Sequence, residues 1–322
     1  MSVAAVSRFV NHKQRFTPAV EARIQQAVVQ VGYRGNPAAR SMVTGRSGVV
    51  AALITALDNP HAAALVKGLC RVALAERYDL LFVDPLHGQS PQAELERVLG
   101  MQVDGLVIAA AMPVGTGELL ARYGRPFIDL ARGRDRAEVA AAADADAPDL
   151  QAQAGALIAR YLLRTGHRRI SFVGCAADAT CAGRLAGVQQ ALAGSDARLH
   201  VAWAAQATAE GGAAVASSVL LAADRPDAVL ACNDPLAMGL LAEARLLGVA
   251  VPDEVSLAGI ENMPAARYLS PALTSVDLHA DALGAAAMTR LLAAIRGQPE
   301  PVNLDTPEPR LWVRESTRAR GV

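Results

Sequence analysis

From Val49 onward the chain repeats one scheme: an apolar run of five to eight residues, then a segment whose apolar positions recur at helical spacing. Val49–Ala56, Leu80–Asp84, Gly105–Ala110 and Pro126–Leu130 read as strands. Pro60–Arg77, Pro91–Met101 and Glu118–Tyr123 read as the helices between them. Strands alternating with helices imply right-handed crossovers and a parallel sheet. Arg132–Asp149 is charged and Ala/Asp-rich, and reads as irregular. The scheme then resumes. Helix Ala152–Arg164 stops at Thr165-Gly166, and strands Ile170–Gly174, Leu199–Ala202, Ala228–Cys232 and Val255–Gly259 follow. Arg184–Leu192, Ala213–Leu221 and Pro235–Leu247 fall in the intervening helices. Leu273–Val276 crosses back, Ala280–Arg296 is a helix on the first lobe, and Arg310–Arg314 is a closing strand after Pro-rich 299–309. The expected fold is α/β with two lobes, one from residues 48–149 plus 277–305 and the other from 150–276 plus 306–322.

Residues 1–47 follow a different rule. Ser2–Asn11 reads as a short helix with Val6, Phe9 and Val10 on one face and Ala4, Arg8 and Asn11 on another. Thr17-Pro18 reads as a cap and first-turn proline, opening a stripe of Val20, Ile24, Ala27, Val28 and Val31 that Gly32 closes. A third segment starts with Asn36 as cap and Pro37 at the first helical position, and Gly45 ends it. It has roughly eight helical residues, where about 12–15 are already marginal in water. Charge is lopsided: residues 1–47 hold seven Lys/Arg against Glu21 alone, leaving 24 basic and 30 acidic residues for the rest of a chain that is neutral overall. A basic, barely stable helix with an apolar Met42 needs a polyanion to fold against. The minor groove of DNA fits, with Met42 as a wedge between base steps and Arg40 and Arg46 near phosphates.

The motifs agree with this reading. Val6-Ser-Arg-Phe-Val-Asn11, Val31-Gly-Tyr33 and Asn36-Pro-Ala-Ala-Arg-Ser-Met42 resemble the recognition helix, third helix and hinge helix of the lac repressor family of bacterial transcription regulators. Gly166-His-Arg-Arg-Ile170, Ala231-Cys-Asn-Asp-Pro-Leu-Ala-Met-Gly239, Val251-Pro-Asp-Glu-Val-Ser256, Pro271-Ala-Leu-Thr-Ser275 and Val313-Arg-Glu-Ser-Thr317 are similar to further family motifs, in the same order. The resemblance implies a periplasmic-binding-protein-like core of two lobes with parallel sheets flanked by helices, holding a small effector between them. It also implies a partial all-α helix-turn-helix headpiece and hinge helix before that core. Carried over by position, Val3 and Ala4 would meet base edges, and Arg8 bases or nearby phosphates. Ser7, Asn11 and Thr17 would touch the DNA backbone, and the hinge would contribute Asn36, Arg40 and Met42. Met42 replaces the family's usual leucine, and Ala5 its usual threonine. The family's headpiece starts about a dozen residues earlier, with a first helix that packs under the recognition helix. Met1 stands where valine is common, and one valine codon, GTG, is also a bacterial start codon. A gene start upstream of Met1 is therefore expected, which N-terminal sequencing of the native protein reads directly. The alternative is a cytoplasmic small-molecule binder whose DNA binding is impaired by truncation. Two copies would place two headpieces on a pseudo-palindromic operator in double-stranded DNA. With no heptad tail after the closing strand, a homodimer is expected rather than a tetramer.

In open α/β lobes, ligands bind beyond the carboxyl ends of the strands. That rule selects Asp58, Asn59 and His61, then Asp84, Asp129, Asn233 and Asp234, and Glu261 and Asn262. A polar cluster of this kind suits a sugar, a sugar acid or a similar polar metabolite. Arg184 takes the position of the family's ligand-binding arginine, and Glu261 stands where the family usually has aspartate. The expected effector set is His61, Asp84, Arg184, Asn233 and Glu261. Plainer roles compete: Asn233 as helix cap, Asp84-Pro85 as a turn, His61 as a helix start, and Arg184 paired with Asp178 at the surface. His167 reads as structural, and Trp203 is in poor register for stacking on a sugar.

Catalytic arrangements are missing from the sequence: no GxxxxGK[ST], no GxSxG, no HExxH, and no GxGxxG after a strand. No enzyme activity and no cofactor are expected. Cys70, Cys175, Cys181 and Cys232 lack metal spacing and read as thiols in a reducing cytoplasm. No apolar run reaches the ~18–20 residues of a membrane span, and the start carries no apolar signal segment. The wedge reading of Met42 makes one prediction. Met42→Ala should weaken specific DNA binding more than nonspecific binding, as read by competition mobility shift; equal losses in both refute it.

Overall fold

A computed structural model describes residues 6, 9, 16–31, 41, 45–55, 57–85, 90–110, 112, 116–130, 134–135, 150–176, 178, 180–298 and 307–320. The chain divides into two compact units, Met1–Gly48 and Val49–Val322. In the first, Val6 and Phe9 are helical, and the Phe9 ring lies tilted against Phe16 with centroids 6.5 Å apart. Helix α1 (Pro18–Gln30) follows, and its apolar stripe is buried chiefly at Ile24, whereas Val20 and Val31 are exposed. Thr17 holds the cap position, but its side chain makes no capping bond. Instead the Glu21 carboxylate reaches back to accept from the Phe16 N–H at 3.1 Å. Gly45 turns at φ +68, and its N–H donates to the Ser41 carbonyl at 2.8 Å, the left-handed ending a glycine permits.

The second unit contains two sheets. The first is built from β1 (Val49–Ile54), α2 (Pro60–Ala75), β2 (Asp79–Val83), α3 (Pro91–Gly100), β3 (Gly105–Ala109), α4 (Thr116–Tyr123), β4 (Phe127–Asp129) and β5 (Arg134–Asp135). Its strand order is β2-β1-β3-β4-β5, parallel except for β5. The second comprises α5 (Leu150–Arg164), β6 (Arg169–Cys175), α6 (Cys181–Leu192), β7 (Arg198–Ala204), α7 (Ala209–Leu220), β8 (Ala228–Ala231), α8 (Asp234–Leu246), β9 (Ser256–Ile260), β10 (Thr274–Asp277) and β11 (Arg310–Trp312). Its order is β11-β10-β9-β8-β6-β7, parallel except for β11. The central strands are apolar on both faces because helices cover both: Val50 to Ile54 and all of β8 are buried. In each sheet the chain starts in the interior, steps outward once, then reverses to the other side. The two reversals create a crevice at the carboxyl ends of β1 and β3, and of β6 and β8.

Thr274–Asp277 is a member of the second sheet, between β9 and β11, so the return to the first lobe follows it. There α9 (Ala280–Ile295) packs on α2. Helix α7 starts at Ala209 rather than Ala213, because Thr208 accepts from the Gly211 N–H while Gly211-Gly212 disguise the first turn. A short 3-10 turn, Pro264–Tyr268, has no apolar periodicity to announce it.

Three helix pairs cross closely, each through one glycine per helix. A methyl group on Gly155 of α5 would overlap the Arg184 carbonyl of α6, and one on Gly187 would overlap that of Ala152. Gly212 and Gly239 do the same between α7 and α8, as do Gly68 and Gly284 between α2 and α9. Glycine in a helix usually costs stability relative to alanine. Here the absent side chain lets backbones touch, so Gly155→Ala should lower stability by about 1–3 kcal/mol. A denaturant melt matching wild type would contradict the close crossing.

Candidate functional site

The crevice between the two sheets is a cleft of about 670 Å³. Its floor is set by helix starts. The first lobe contributes Asn59, whose Oδ1 caps α2 by accepting from the His61 N–H at 2.8 Å, with Pro60 at the first position. The second lobe contributes Asn233, whose Oδ1 caps α8 by accepting from the Leu236 N–H at 2.9 Å. The spare amide of Asn233 donates to the Ala207 carbonyl at 3.0 Å. The spare amide of Asn59 crosses between the lobes and donates to Glu261 Oε2 at 3.1 Å.

Arg184 lies on α6 and is only 1% exposed. Its Nε donates to Gln151 Oε1 at 2.7 Å, and its Nη1 to the Cys232 carbonyl at 2.5 Å and to Glu261 Oε1 at 3.3 Å. Burial opposes the guanidinium charge, but Glu261 and then Asp178 more than offset it, so its pKa rises above the ordinary value. Glu261 holds φ +113, and the following Asn262 φ +47, a backbone rarely adopted without glycine. The neighbourhood imposes it. The Glu261 N–H donates to the Val276 carbonyl at 2.7 Å, and the Asn262 N–H to Ser275 Oγ at 2.9 Å. Asn262 is further tied by Arg314 and Asp277.

His61, Arg184, Asn233 and Glu261 therefore come together around one cleft. Burial pulls the His61 imidazole below its ordinary pKa, with Glu261 working against that pull and Arg184 with it. Asp84 is half-buried after β2, the edge strand of its sheet, and does not line the cleft. Asp129 also stays outside. A surface pair between Arg184 and Asp178 is not what forms: Arg184 is buried against Glu261, and Asp178 Oδ1 accepts from Thr180 N at 2.8 Å and Oγ1 at 2.7 Å. His167 is buried among Thr165, the Leu162 carbonyl and Ser256. Trp203 is half exposed and away from the cleft. Gln151, Thr208, Met238 and Leu283 line the cleft without any motif to mark them. Of the expected DNA contacts only Thr17 is described, and it is exposed. Val3, Ala4, Ser7, Arg8, Asn11, Asn36, Arg40 and Met42 lie outside the described residues.

Asp234, the first residue of α8, is sealed beneath the cleft. Met263 N–H donates to its Oδ2 at 2.7 Å and Ser275 Oγ to its Oδ1 at 2.6 Å. Burial pushes its carboxyl up to about 7, against the pull of Ser275 and Met263. Because the folded pKa exceeds the ordinary 3.8, the folded state holds more protons between the two values. This group's contribution to stability therefore falls as pH rises from about 4 to about 7, by up to about 4 kcal/mol, and is level above that. Asp234→Asn should flatten this part of the melting-temperature profile; an unchanged slope rules the titration out.

Comparison with known proteins places this architecture. Residues 159–317 match the periplasmic binding protein-like domain family. The HTH-type transcriptional repressor PurR of Klebsiella pneumoniae strain 342 is 30% identical over 324 residues, covering 98% of this chain and 93% of that protein. The lac repressor dimer bound to operator and the anti-inducer ONPF superposes with a TM-score of 0.84 at 19% identity, covering 99% of this chain and 96% of that one. The transcription regulator GntR from Chromobacterium violaceum superposes with a TM-score of 0.71 at 28% identity, over 84% of this chain and 99% of that one. A LacI family regulator from Enterococcus faecium, with bound ribose, gives 0.68 at 22% identity, over 85% and 100%. These relatives are transcription regulators, not enzymes.

Proposed function

The chain belongs to the lac repressor family of transcriptional regulators, and from that membership we propose that it is a homodimeric, effector-responsive repressor acting on operator DNA in the cytoplasm. Among the described residues no helix is long and apolar enough to cross a membrane. The effector is a small polar metabolite, and the genes controlled serve sugar or sugar-acid metabolism. His61, Arg184, Asn233 and Glu261 would hold it; Asp84 is left out of the set because it stands away from the cleft.

One observation carries the reading. Asn59 of the first lobe donates to Glu261 of the second, and Glu261 in turn pairs with Arg184, so polar contact between the lobes runs through the cleft itself. A ligand that replaces or strengthens this bridge changes the preferred angle between the lobes. Chain connectivity passes that change on: the segment 36–47 leads directly into β1. The hinge segment is too short to be stable alone. A coupling of about 1–3 kcal/mol is enough to tip it between wound and unwound. Both induction and corepression use this same linkage. DNA contact would come from Val3, Ala4, Ser7, Arg8, Asn11 and Thr17, with Asn36, Arg40 and Met42 in the hinge.

A mobility-shift assay on the DNA upstream of its own gene tests this. The full-length protein is expected to bind that DNA at low salt, to lose affinity steeply as salt rises, and to respond to one class of small metabolite. No retardation of that fragment at low salt, with or without candidate metabolites, sinks the repressor reading and leaves a small-molecule binder.

A further inference from the structure

The charge balance of the cleft narrows its ligand. Four carboxylates line it among the described residues, Asp58, Asp178, Glu210 and Glu261, against a single guanidinium, that of Arg184. Glu261 is already matched to Arg184 at 3.3 Å. Asp178 shares the same guanidinium only at longer range, and Asp58 and Glu210 meet no described cation inside the cleft. Asp58 comes from the first lobe and is exposed; Asp178 and Glu210 come from the second. Among the described residues nothing donates to Asp178 Oδ2, and nothing pairs with Asp58. Field lines from both walls concentrate in such a crevice, so the interior favours positive charge. A carboxylate or phosphate entering it would meet, among the described residues, three more carboxylates than cations, and a cation already committed to its own partner.

A second observation shows what else the ligand must offer. Arg184 is 1% exposed, yet among the described residues no acceptor meets its Nη2, and that atom is not among the sealed, unsatisfied ones. Arg184 lines the cleft, so Nη2 is where the guanidinium can still take an oxygen acceptor from it. Since Glu261 has taken up the charge, a neutral hydroxyl or carbonyl suffices. No Phe, Tyr or Trp is found among the described lining residues. The apolar wall is aliphatic instead, with Ile54, Leu65, Met238 and Leu283. A flat ring gains no stacking there, whereas a saturated carbon skeleton packs well.

We propose that the effector is a small saturated amino alcohol or amino sugar, bound with its ammonium group between Asp58 and Asp178 and a hydroxyl on Arg184 Nη2. This rests on reading the cleft as the effector site, and it excludes the sugar-acid end of the range given above.

Two matched sets of probes test it on the full-length protein: D-glucosamine, D-glucose and D-glucuronate, and 4-amino-1-butanol, 1,4-butanediol and 4-hydroxybutyrate. The four-carbon set exchanges one terminal group, ammonium, hydroxyl or carboxylate, on the same chain; the hexose set carries the amine at C2 and the acid at C6. Calorimetry and thermal melts should rank the amine first and the acid last. Asp178→Asn keeps the Oδ1 acceptor that Thr180 uses, removes the charge, and turns the second oxygen into an amide donor. It should weaken the amine about tenfold, the worth of one charge-assisted hydrogen bond, while leaving the neutral member unchanged. Asp58→Asn should do the same from the other wall. An acid that binds as well as its amine, amine binding untouched by both variants, or no binding of either amine at tens of millimolar overturns the proposal. Operator binding measured on the same samples separates the two readings. Lost charge selectivity with DNA binding intact sinks only the ligand class, and selective binding without DNA binding sinks only the repressor.

Discussion

The polar contacts of the cleft are arranged about one buried guanidinium. Arg184 sits where a charge is expensive to hold, and it stays charged because four groups converge on it: Gln151, the Cys232 carbonyl, Glu261 and, more distantly, Asp178. A buried ion pair rarely adds stability, since the loss of hydration takes back most of the attraction. What such a pair supplies is position. Glu261 is pinned by a strained backbone at φ +113, and Arg184 by a helix whose carbonyl lies against Gly155. Neither has freedom to wander, so the guanidinium keeps one place in the cleft wall. That is preorganisation before any ligand arrives.

The same residues close helices and line the site. Asn59 and Asn233 each use the side-chain oxygen to cap a helix, which leaves the amide to act elsewhere. In Asn59 that amide is the link between lobes. A strand that ends at a switch point and feeds a helix needs a cap there, and the cap then stands at the mouth of the crevice. Architecture and recognition share one set of atoms. A substitution at Asn59 therefore acts on the helix start and on the lobe contact together.

Family membership and ligand chemistry are separate questions. The superpositions with repressors that carry ribose or ONPF extend over most of the chain, yet a shared fold hosts unrelated ligands. On the reading proposed above, the identity of the effector lies in the side chains of this particular cleft, where the described lining has a carboxylate excess and an aliphatic wall.

Much of this was open to reading in the amino-acid order. The central strands announce themselves as apolar runs, because parallel strands covered on both faces exclude polar residues. Asn59, His61, Asn233 and Glu261 follow such runs directly, so their place at the cleft is nearly a local property, and Arg184 is reached through the motif resemblance. Asp84 also follows an apolar run, yet it stands outside, while the edge strand β7 of the other sheet delivers Ala205 and Gln206; which strand ends reach the cleft is written in no local pattern. Gln151, Thr208 and Leu283 reach the cleft from helix starts far apart in the chain, brought there by crossovers between lobes. A surface pair with Asp178 was the plainer alternative for Arg184, and packing decides that its partner is Glu261. Periodicity and capping act over a few neighbouring residues and so survive in the linear order. Which strand lies beside which, and which carboxylate a buried guanidinium meets, depend on residues far apart in the chain, as Asn59 and Glu261 are at 202 positions, and exist only once the chain has closed on itself.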